Sequence, residues 1–379
     1  MVLGLVPEQN GAKHLPPRLA AIALIVSSTL LLSCGIDPVG SGGSASSGFT
    51  YRQSFPWPVS TPQAQGMDPS RVAQAMRQIE NDPYIHCFLV IRNDSLVLEY
   101  YAPGYVPEND FPVSSVSISI LSALTGLAMD QGLISSPVQK ILKYFPEFDT
   151  TNIDPRKPSW TIEQFLTMRS GIDWNEEEDH SGLFNSHSNW LTTALGLPMR
   201  YAPGDTFIVA SPVANILAAL LGRAAGVTTY RFAETNLFAP LRISVRSWAT
   251  DPQDVYLGAT GMRFTARDLA RFGQIYLHNG ALDGKQILSR DWIRQSLIPR
   301  NPRNANKGDL PSVNFGYLWW TNYDNRDSLY LASGFGGQTI LVDPSQKMII
   351  VVLADADVAP AQGDDNARSI LALIKMFFL

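Results

Sequence analysis

The chain is poor in cysteine, in histidine and in clustered positive charge. Its 379 residues contain two cysteines and five histidines, and the net charge is −5. Two cysteines exclude a scaffold held by several disulfides, and the scattered histidines lack the spacing of a metal site. Without a Lys/Arg cluster, nucleic acid is not expected as a partner. Phosphate-binding and dinucleotide-binding glycine motifs are also missing, so the sequence predicts no metal and no cofactor.

The remaining composition is that of a globular protein. Hydrophobic residues make up 45% of the chain and charged residues 17%. This apolar content is sufficient for a large core, and the length suits one large domain or two small ones. No internal repeat is visible, and we expect a monomer.

The N-terminal segment is typical of a targeting sequence. Polar residues 1–18 precede an apolar run, residues 19–32, which is too short for a comfortable membrane span. The run ends in Leu-Leu-Ser-Cys-Gly, which resembles a lipobox with Cys34 as the lipidated residue. We therefore predict a lipoprotein signal peptide over residues 1–34. The alternative is a plain signal peptide with an incidental cysteine.

A Gly/Ser-rich tether over residues 35–49 follows and would connect the anchor to a domain over residues 50–379. The predicted location is outside the inner membrane, in the periplasm, with the lipid anchor as the only membrane contact. Gly35, in place of Asp, implies outer-membrane sorting if the organism is Gram-negative.

Periodicity and capping residues predict an α+β fold. We expect an antiparallel sheet flanked by N- and C-terminal helices, with a mostly helical region inserted over about residues 132–242. Helices are predicted over residues 68–81, 115–131, 161–168, 213–225, 267–279 and 365–379. Strands are predicted over residues 85–91, 95–101, 315–320, 329–332, 338–342 and 348–353.

Six short stretches are spread over nearly the whole predicted domain, residues 50–379. They are Ser114-Ser115-Val116-Ser117-Ile118-Ser119, Phe165-Leu166-Thr167-Met168-Arg169-Ser170-Gly171-Ile172-Asp173-Trp174, Tyr201-Ala202-Pro203-Gly204-Asp205, Gly261-Met262-Arg263-Phe264-Thr265-Ala266-Arg267-Asp268, Tyr317-Leu318-Trp319-Trp320 and Ser333-Gly334-Phe335-Gly336-Gly337-Gln338. In this order and at this spacing they resemble the serine β-lactamase and penicillin-binding-protein superfamily, in particular its esterase and 6-aminohexanoate-dimer-hydrolase branch.

The resemblance implies a nucleophilic serine whose base is a lysine three residues later, because position i+3 lies on the same helix face. Ser115 occupies the nucleophile position, but the lysine position is Ile118. No lysine or arginine occurs between Arg92 and Lys140, so no shift of register restores the base. The family's tyrosine, from a Tyr-x-Ser/Asn motif, would fall at Val209. The catalytic motifs are thus degenerate.

The third family segment is better preserved. The Gly-rich turn, residues 333–338, matches the family's edge-strand turn, which helps bind substrate and shape the oxyanion hole. The resemblance therefore implies substrate-binding roles for Ser333, Gly334, Gly336 and Gly337.

Two functional hypotheses follow. The first is a lipoprotein with impaired catalysis that binds a peptide, a cell-wall fragment or another protein. The second is a working hydrolase of small esters or amides, acting through an acyl-Ser115 intermediate with a base from elsewhere. The candidate bases lie in one polar loop: Glu176, Glu177, Glu178, Asp179, His180 and His187.

Overall fold

The structure is a computed structural model and describes residues 49–176, 178–179, 189–301, 313–321 and 329–378. These residues lie in one compact unit, Ser46–Leu379. The predicted signal peptide, with Cys34, and the tether up to residue 48 lie outside the described residues.

The helices begin and end close to the predicted positions, because side-chain caps mark several of the boundaries. Asp68 caps α1, and Thr161 forms a capping box with Gln164 at the start of α3. In chain order the helices are α1 (Pro69–Asn81), α2 (Val116–Asp130), α3 (Ile162–Leu166), α4 (Trp190–Gly196), α5 (Ser211–Ala225), α6 (Thr229–Ala233), α7 (Ala239–Leu241), α8 (Ala266–Leu277), α9 (Arg290–Leu297) and α10 (Pro360–Lys375). A π-helical turn, Glu234–Phe238, joins α6 to α7, and short 3₁₀ turns cover Ile141–Tyr144 and Lys157–Ser159.

The main sheet has seven antiparallel strands in the order β2-β1-β12-β11-β10-β9-β8. Its edges are therefore β2 and β8, and the first and last long strands, β1 and β12, are neighbours. In chain order the strands are β1 (Ile85–Arg92), β2 (Ser95–Tyr101), β3 (Phe111–Pro112), β4 (Ser247–Trp248), β5 (Met262–Phe264), β6 (Ala281–Leu282), β7 (Lys285–Gln286), β8 (Asn314–Phe315), β9 (Trp320–Thr321), β10 (Tyr330–Ser333), β11 (Thr339–Asp343) and β12 (Met348–Ala354). The small elements β3, β5 and β4 form a second sheet, and β6 pairs with β7.

The β1–β2 hairpin forms as predicted. Asn93 and Asp94 at its tip have φ values of 45° and 59°, which suits a tight turn between twisted strands. Cys87 in β1 is free and fully buried, and burial raises the pKa of its thiol far above the usual range. This environment is that of a structural rather than a reactive cysteine.

One predicted strand is wrong. Residues 315–320 do not form a single strand but end β8 and begin β9, with a tight turn between them. Gly316 N donates to Trp319 O at 2.9 Å, and Leu318 has a φ of 59°. The apolar run misled the prediction because both strands and the turn are buried in the core.

The C-terminal helix also starts earlier than predicted. α10 begins at Pro360 rather than at residue 365, because a proline is well tolerated at the first helical position. α10 and α1 contact each other, whereas α8 packs on β1, β11 and β12. The predicted α+β architecture is confirmed, and the described part of residues 132–242 contains helices and turns but no strand of a sheet.

None of the described helices is by itself long and apolar enough to cross a membrane. By length and composition alone, the pair Ser211–Ala225 and Thr229–Leu241 would qualify together, but it is bent by 73°.

Candidate active site around Ser115

Ser115 is the residue immediately before α2. It is half-buried, and its φ and ψ are −70° and 1°. Its side chain makes no capping hydrogen bond, and no described residue donates to or accepts from its hydroxyl or its backbone N–H. The neighbouring Ser117, in contrast, donates from Oγ to Ser114 O at 2.7 Å. Ser115 therefore presents an unused hydroxyl and an unused amide at the positive end of a 15-residue helix.

The Gly-rich turn lies directly against Ser115. A Cβ atom on Gly334 would stand 2.7 Å from Val113 O and 2.9 Å from Ser115 N, closer than real Cβ contacts come. This approach requires glycine at position 334. The structure thus brings together two family segments that are more than two hundred residues apart in sequence, and it leaves their chemical roles as predictions.

Gly336 and Gly337 are explained by packing within the turn. Their φ values are 76° and 100°, in the region that favours glycine. A Cβ on Gly336 would collide with Asp355 O, and one on Gly337 with the side chain of Ile370 in α10. These two glycines shape the turn, and a role in binding substrate stays a prediction for them. Ser333 ends β10, pairs with Thr339 and is 5% exposed.

Ile118, in the lysine position, lies one turn into α2. It is 6% exposed and belongs to the hydrophobic core. Val209, in the tyrosine position, is half-buried against the same core just before α5, and α2 packs against α5. Both positions therefore carry aliphatic side chains in apolar surroundings, where an unpaired charged or phenolic group would be costly. We call Ser115, Ile118, Val209 and the Gly-rich turn the Ser115 site.

The segment that carries Val209 is fixed by backbone hydrogen bonds. Ile208 N donates to Met168 O at 2.9 Å, and Gly204 N donates to Arg169 O at 2.8 Å. The ring of Phe207 packs on Phe315, with 5.1 Å between centroids. The backbone on either side of Val209 is thus held in a defined position. A catalytic side chain at position 209 would need a backbone fixed in this way.

Glu176 has a role that the sequence did not reveal. Its carboxylate accepts hydrogen bonds from Trp174 Nε1 at 2.6 Å, from Ser211 N at 2.9 Å and from Ser211 Oγ. It therefore fixes the start of α5, two residues after Val209. A Glu-to-Ser contact over 35 positions has no local signal in the sequence.

The other candidate bases are exposed to solvent or lie outside the described residues. Glu178 and Asp179 are exposed, and Asp179 Oδ2 accepts from Asn175 N at 2.7 Å within the loop. Glu177, His180 and His187 lie outside the described residues.

Two further features bear on the site. Among the described residues no group of three or more His, Cys, Asp or Glu side chains could hold a metal ion. Two cavities in the described part of the chain have volumes of about 600 and 450 Å³, and no residue of the Ser115 site lines either of them.

Comparison with known proteins agrees with the fold. The model of the Beta-lactamase family matches residues 87–374. The chain belongs to this family, and hence to the superfamily of serine β-lactamases and penicillin-binding proteins.

Three similar proteins illustrate the relationship. The 6-aminohexanoate-dimer hydrolase of Paenarthrobacter ureafaciens is 29% identical over 289 residues, which cover 70% of this chain and 71% of that protein. A candidate 6-aminohexanoate-dimer hydrolase from Bacillus anthracis superimposes with a TM-score of 0.68 at 19% identity, covering 86% and 88% of the two chains. The octameric penicillin-binding protein homologue from Pyrococcus abyssi superimposes with a TM-score of 0.61 at 16% identity, covering 80% of this chain and 76% of that chain. At these identities the two structures support the fold alone.

Proposed function

We propose that this protein is a binding protein built on a β-lactamase-family fold, in which Ser115 no longer supports hydrolysis at an enzymatic rate. One observation carries the proposal. The hydroxyl of Ser115 has no hydrogen-bond partner among the described residues, and Ile118 occupies the position of the lysine that would activate it.

The kinetic consequence follows from general chemistry. A serine hydroxyl is a weak nucleophile unless a base lies within hydrogen-bond reach. A positioned base contributes about 10²–10⁴-fold, and catalytic groups that act as a unit contribute about 10⁶-fold together. With Ile118 and Val209 in the two proton-transfer positions, only substrate binding and oxyanion stabilisation would remain.

The same geometry supports binding. The unused N–H of Ser115 at the start of α2 is a donor for a carbonyl oxygen, and Gly334 lets the backbone of the Gly-rich turn approach it. The apolar side chains of Ile118 and Val209 favour a neutral ligand. We therefore propose a ligand with an amide or ester carbonyl, such as a peptide or cell-wall-like fragment.

The first test is covalent labelling of the purified protein with a fluorophosphonate, followed by intact-mass spectrometry, and turnover of p-nitrophenyl acetate. We expect no adduct and no turnover above that of the Ser115→Ala variant. The Ser114→Ala variant, altered at the adjacent serine, is the matched control. A second measurement, titration with the linear 6-aminohexanoate dimer, should give saturable binding without release of 6-aminohexanoate.

The alternative function is an active serine hydrolase of esters or amides. The half-exposed hydroxyl of Ser115 favours it, as does Glu176, which ties the polar loop to the segment after Val209. Under this alternative a fluorophosphonate adduct would map to Ser115, and ester turnover would be lost in His180→Ala or His187→Ala. That pattern would replace the binding proposal with the hydrolase.

We also propose that Cys34 anchors the protein to a membrane, with the domain in the periplasm. The apolar run that ends at Cys34 supports this proposal. The Cys34→Ala variant should move from the membrane fraction to the soluble fraction, while Cys87→Ala should stay membrane-bound. Retention of Cys34→Ala in the membrane fraction would contradict the anchor.

A further inference from the structure

The smaller of the two cavities has an unbalanced set of charged groups. It has a volume of about 450 Å³, within the range of small-ligand sites. It lies between the first turn of α3, the residues that follow α3 and the segment after α9. The side chains that matter are those of Val138, Glu163, Gln164, Arg169 and Arg300.

Two of these charges neutralise each other. Arg300 Nε lies 3.4 Å from Glu163 Oε1, and its guanidinium stacks on Tyr317 with its carbon 3.8 Å from the ring centre. Arg300 also donates to Gln295 Oε1 at 2.9 Å, and Tyr317 Oη donates to Glu163 at 2.7 Å. This pair is held by its own network and leaves little capacity for a ligand.

Arg169 is different. Among the described residues it makes no ion pair, and the acid that the sequence places four residues later, Asp173, pairs with Arg200 at 3.6 Å. Its two terminal nitrogens reach only the carbonyl oxygens of Arg300 and Asp205, each at 3.4 Å. Its Nε is buried and has no hydrogen-bond partner within the part of the chain that the structure describes. A buried donor without a partner is costly, and here it belongs to a permanently charged group.

Gln164 offers a second donor to the same cavity. Its Oε1 accepts from Thr161 N at 2.9 Å in the capping box of α3. This fixes the side chain and leaves the amide Nε2 without a hydrogen-bond partner among the described residues. Nε2 lies beside Gly204, at 3.6 Å from the position that a Cβ would take.

We propose that this cavity is a binding site for a ligand with a single carboxylate, held by the guanidinium of Arg169 and the amide of Gln164. Arginine matches a carboxylate because its planar fork can donate two parallel hydrogen bonds. Arg169 and Arg300 against Glu163 leave one net positive charge, which complements one carboxylate better than a doubly charged phosphate. None of the residues of the Ser115 site lines the cavity, so this inference is independent of the proposed function.

The test is titration of the full-length protein with N-acetylglycine, with N-acetylglycinamide as the uncharged isostere and inorganic phosphate as the second anion. We expect N-acetylglycine to bind and the amide and phosphate to bind at least about tenfold more weakly. Binding of N-acetylglycine should weaken as salt is raised, because the contact is ionic.

Two variants locate the site. Arg169→Gln should weaken N-acetylglycine binding about tenfold or more, while Arg200→Gln, an exposed arginine outside the cavity, should leave it unchanged. Val138→Glu places a negative charge at the rim, where the side chain is 63% exposed, and should also weaken binding, whereas Val138→Gln should not. The Val138 pair decides the question if Arg169→Gln fails to fold. Equal binding of acid and amide, tighter binding of phosphate, or full affinity in Val138→Glu would overturn the proposal.

Discussion

The two halves of the Ser115 site differ in what they retain. The backbone half consists of Ser115 N and the Gly-rich turn, and it is intact down to the glycine that the close approach requires. The side-chain half consists of Ile118 and Val209, and it lacks every group that could move a proton. Under the proposed function, the backbone half would orient a carbonyl group, whereas the side-chain half would supply no base to activate the hydroxyl of Ser115.

This difference shows that the backbone geometry of the site can be kept while the side chains at the two proton-transfer positions differ. The backbone half is fixed by contacts with α10, with β12 and with the residues that follow β12, and changing it would disturb the core. With aliphatic residues at both proton-transfer positions, neither a lysine nor a tyrosine is left in the site without its partner. A binding protein needs the first half, and a hydrolase needs both.

The sharpest test of the comparison restores the side-chain half. The double variant Ile118→Lys/Val209→Tyr should gain p-nitrophenyl acetate hydrolysis of about 10²–10⁴-fold over the parent, because the backbone half is already in place. Steady-state rates with the parent and with Ser115→Ala/Ile118→Lys/Val209→Tyr measure the gain and its dependence on the nucleophile.

The single variant Ile118→Lys is the informative control. Its ammonium group would enter a site that is 6% exposed without the phenol beside it, so we expect loss of stability and no activity. If the double variant folds but remains inactive, the backbone half is not competent, and the comparison fails.

The second test disturbs the backbone half. Gly334 has φ −124° and ψ 166°, which any residue can adopt, so the cost of Gly334→Ala comes from contact alone. We expect a loss of about 1–3 kcal/mol in the free energy of unfolding, because the new methyl group meets backbone atoms of Val113 and Ser115. Urea denaturation monitored by circular dichroism measures it. Gly196→Ala, which meets no atom within 4 Å, should change stability by less than about 0.5 kcal/mol.

The third test compares ligand binding at the Ser115 site with the pH dependence of stability that a buried acid elsewhere produces. Burial raises the pKa of Asp268, near the start of α8, to about 6, and one of its carboxylate oxygens has no hydrogen-bond partner among the described residues. Because the unfolded pKa is about 3.9, the folded state takes up the proton first as the pH falls. Between pH 7 and pH 5 the protein should gain about 1 kcal/mol of stability relative to Asp268→Asn.

The measurement is the difference in unfolding free energy between the parent protein and Asp268→Asn at each pH. Taking this difference removes the contribution of the other carboxyl groups to the pH dependence. Binding of the 6-aminohexanoate dimer should not follow the same titration. An equal pH dependence in Asp268→Asn would show that another group is responsible.

The sequence predicted the local elements well where local chemistry fixes them. Asp68 and Thr161 cap helices at the predicted points, and Asn93-Asp94 forms the hairpin turn. The prediction failed at residues 315–320, where burial of both short strands and their turn produced one continuous apolar run. Local patterns report burial and turn preference, and they do not report which buried residues pair.

By itself the sequence determined the order of the family segments, the α+β plan and the identity of the residues at positions 115, 118 and 209. These properties follow from residue type and spacing along the chain. Only the tertiary structure decided that Gly334 lies against Ser115, that Glu176 accepts hydrogen bonds from Ser211 and that Arg169 has no carboxylate partner among the described residues. Each of these features depends on contacts between segments that are far apart in sequence. The packing of the whole core sets the distances between those segments and decides which hydrogen-bond donors find a partner.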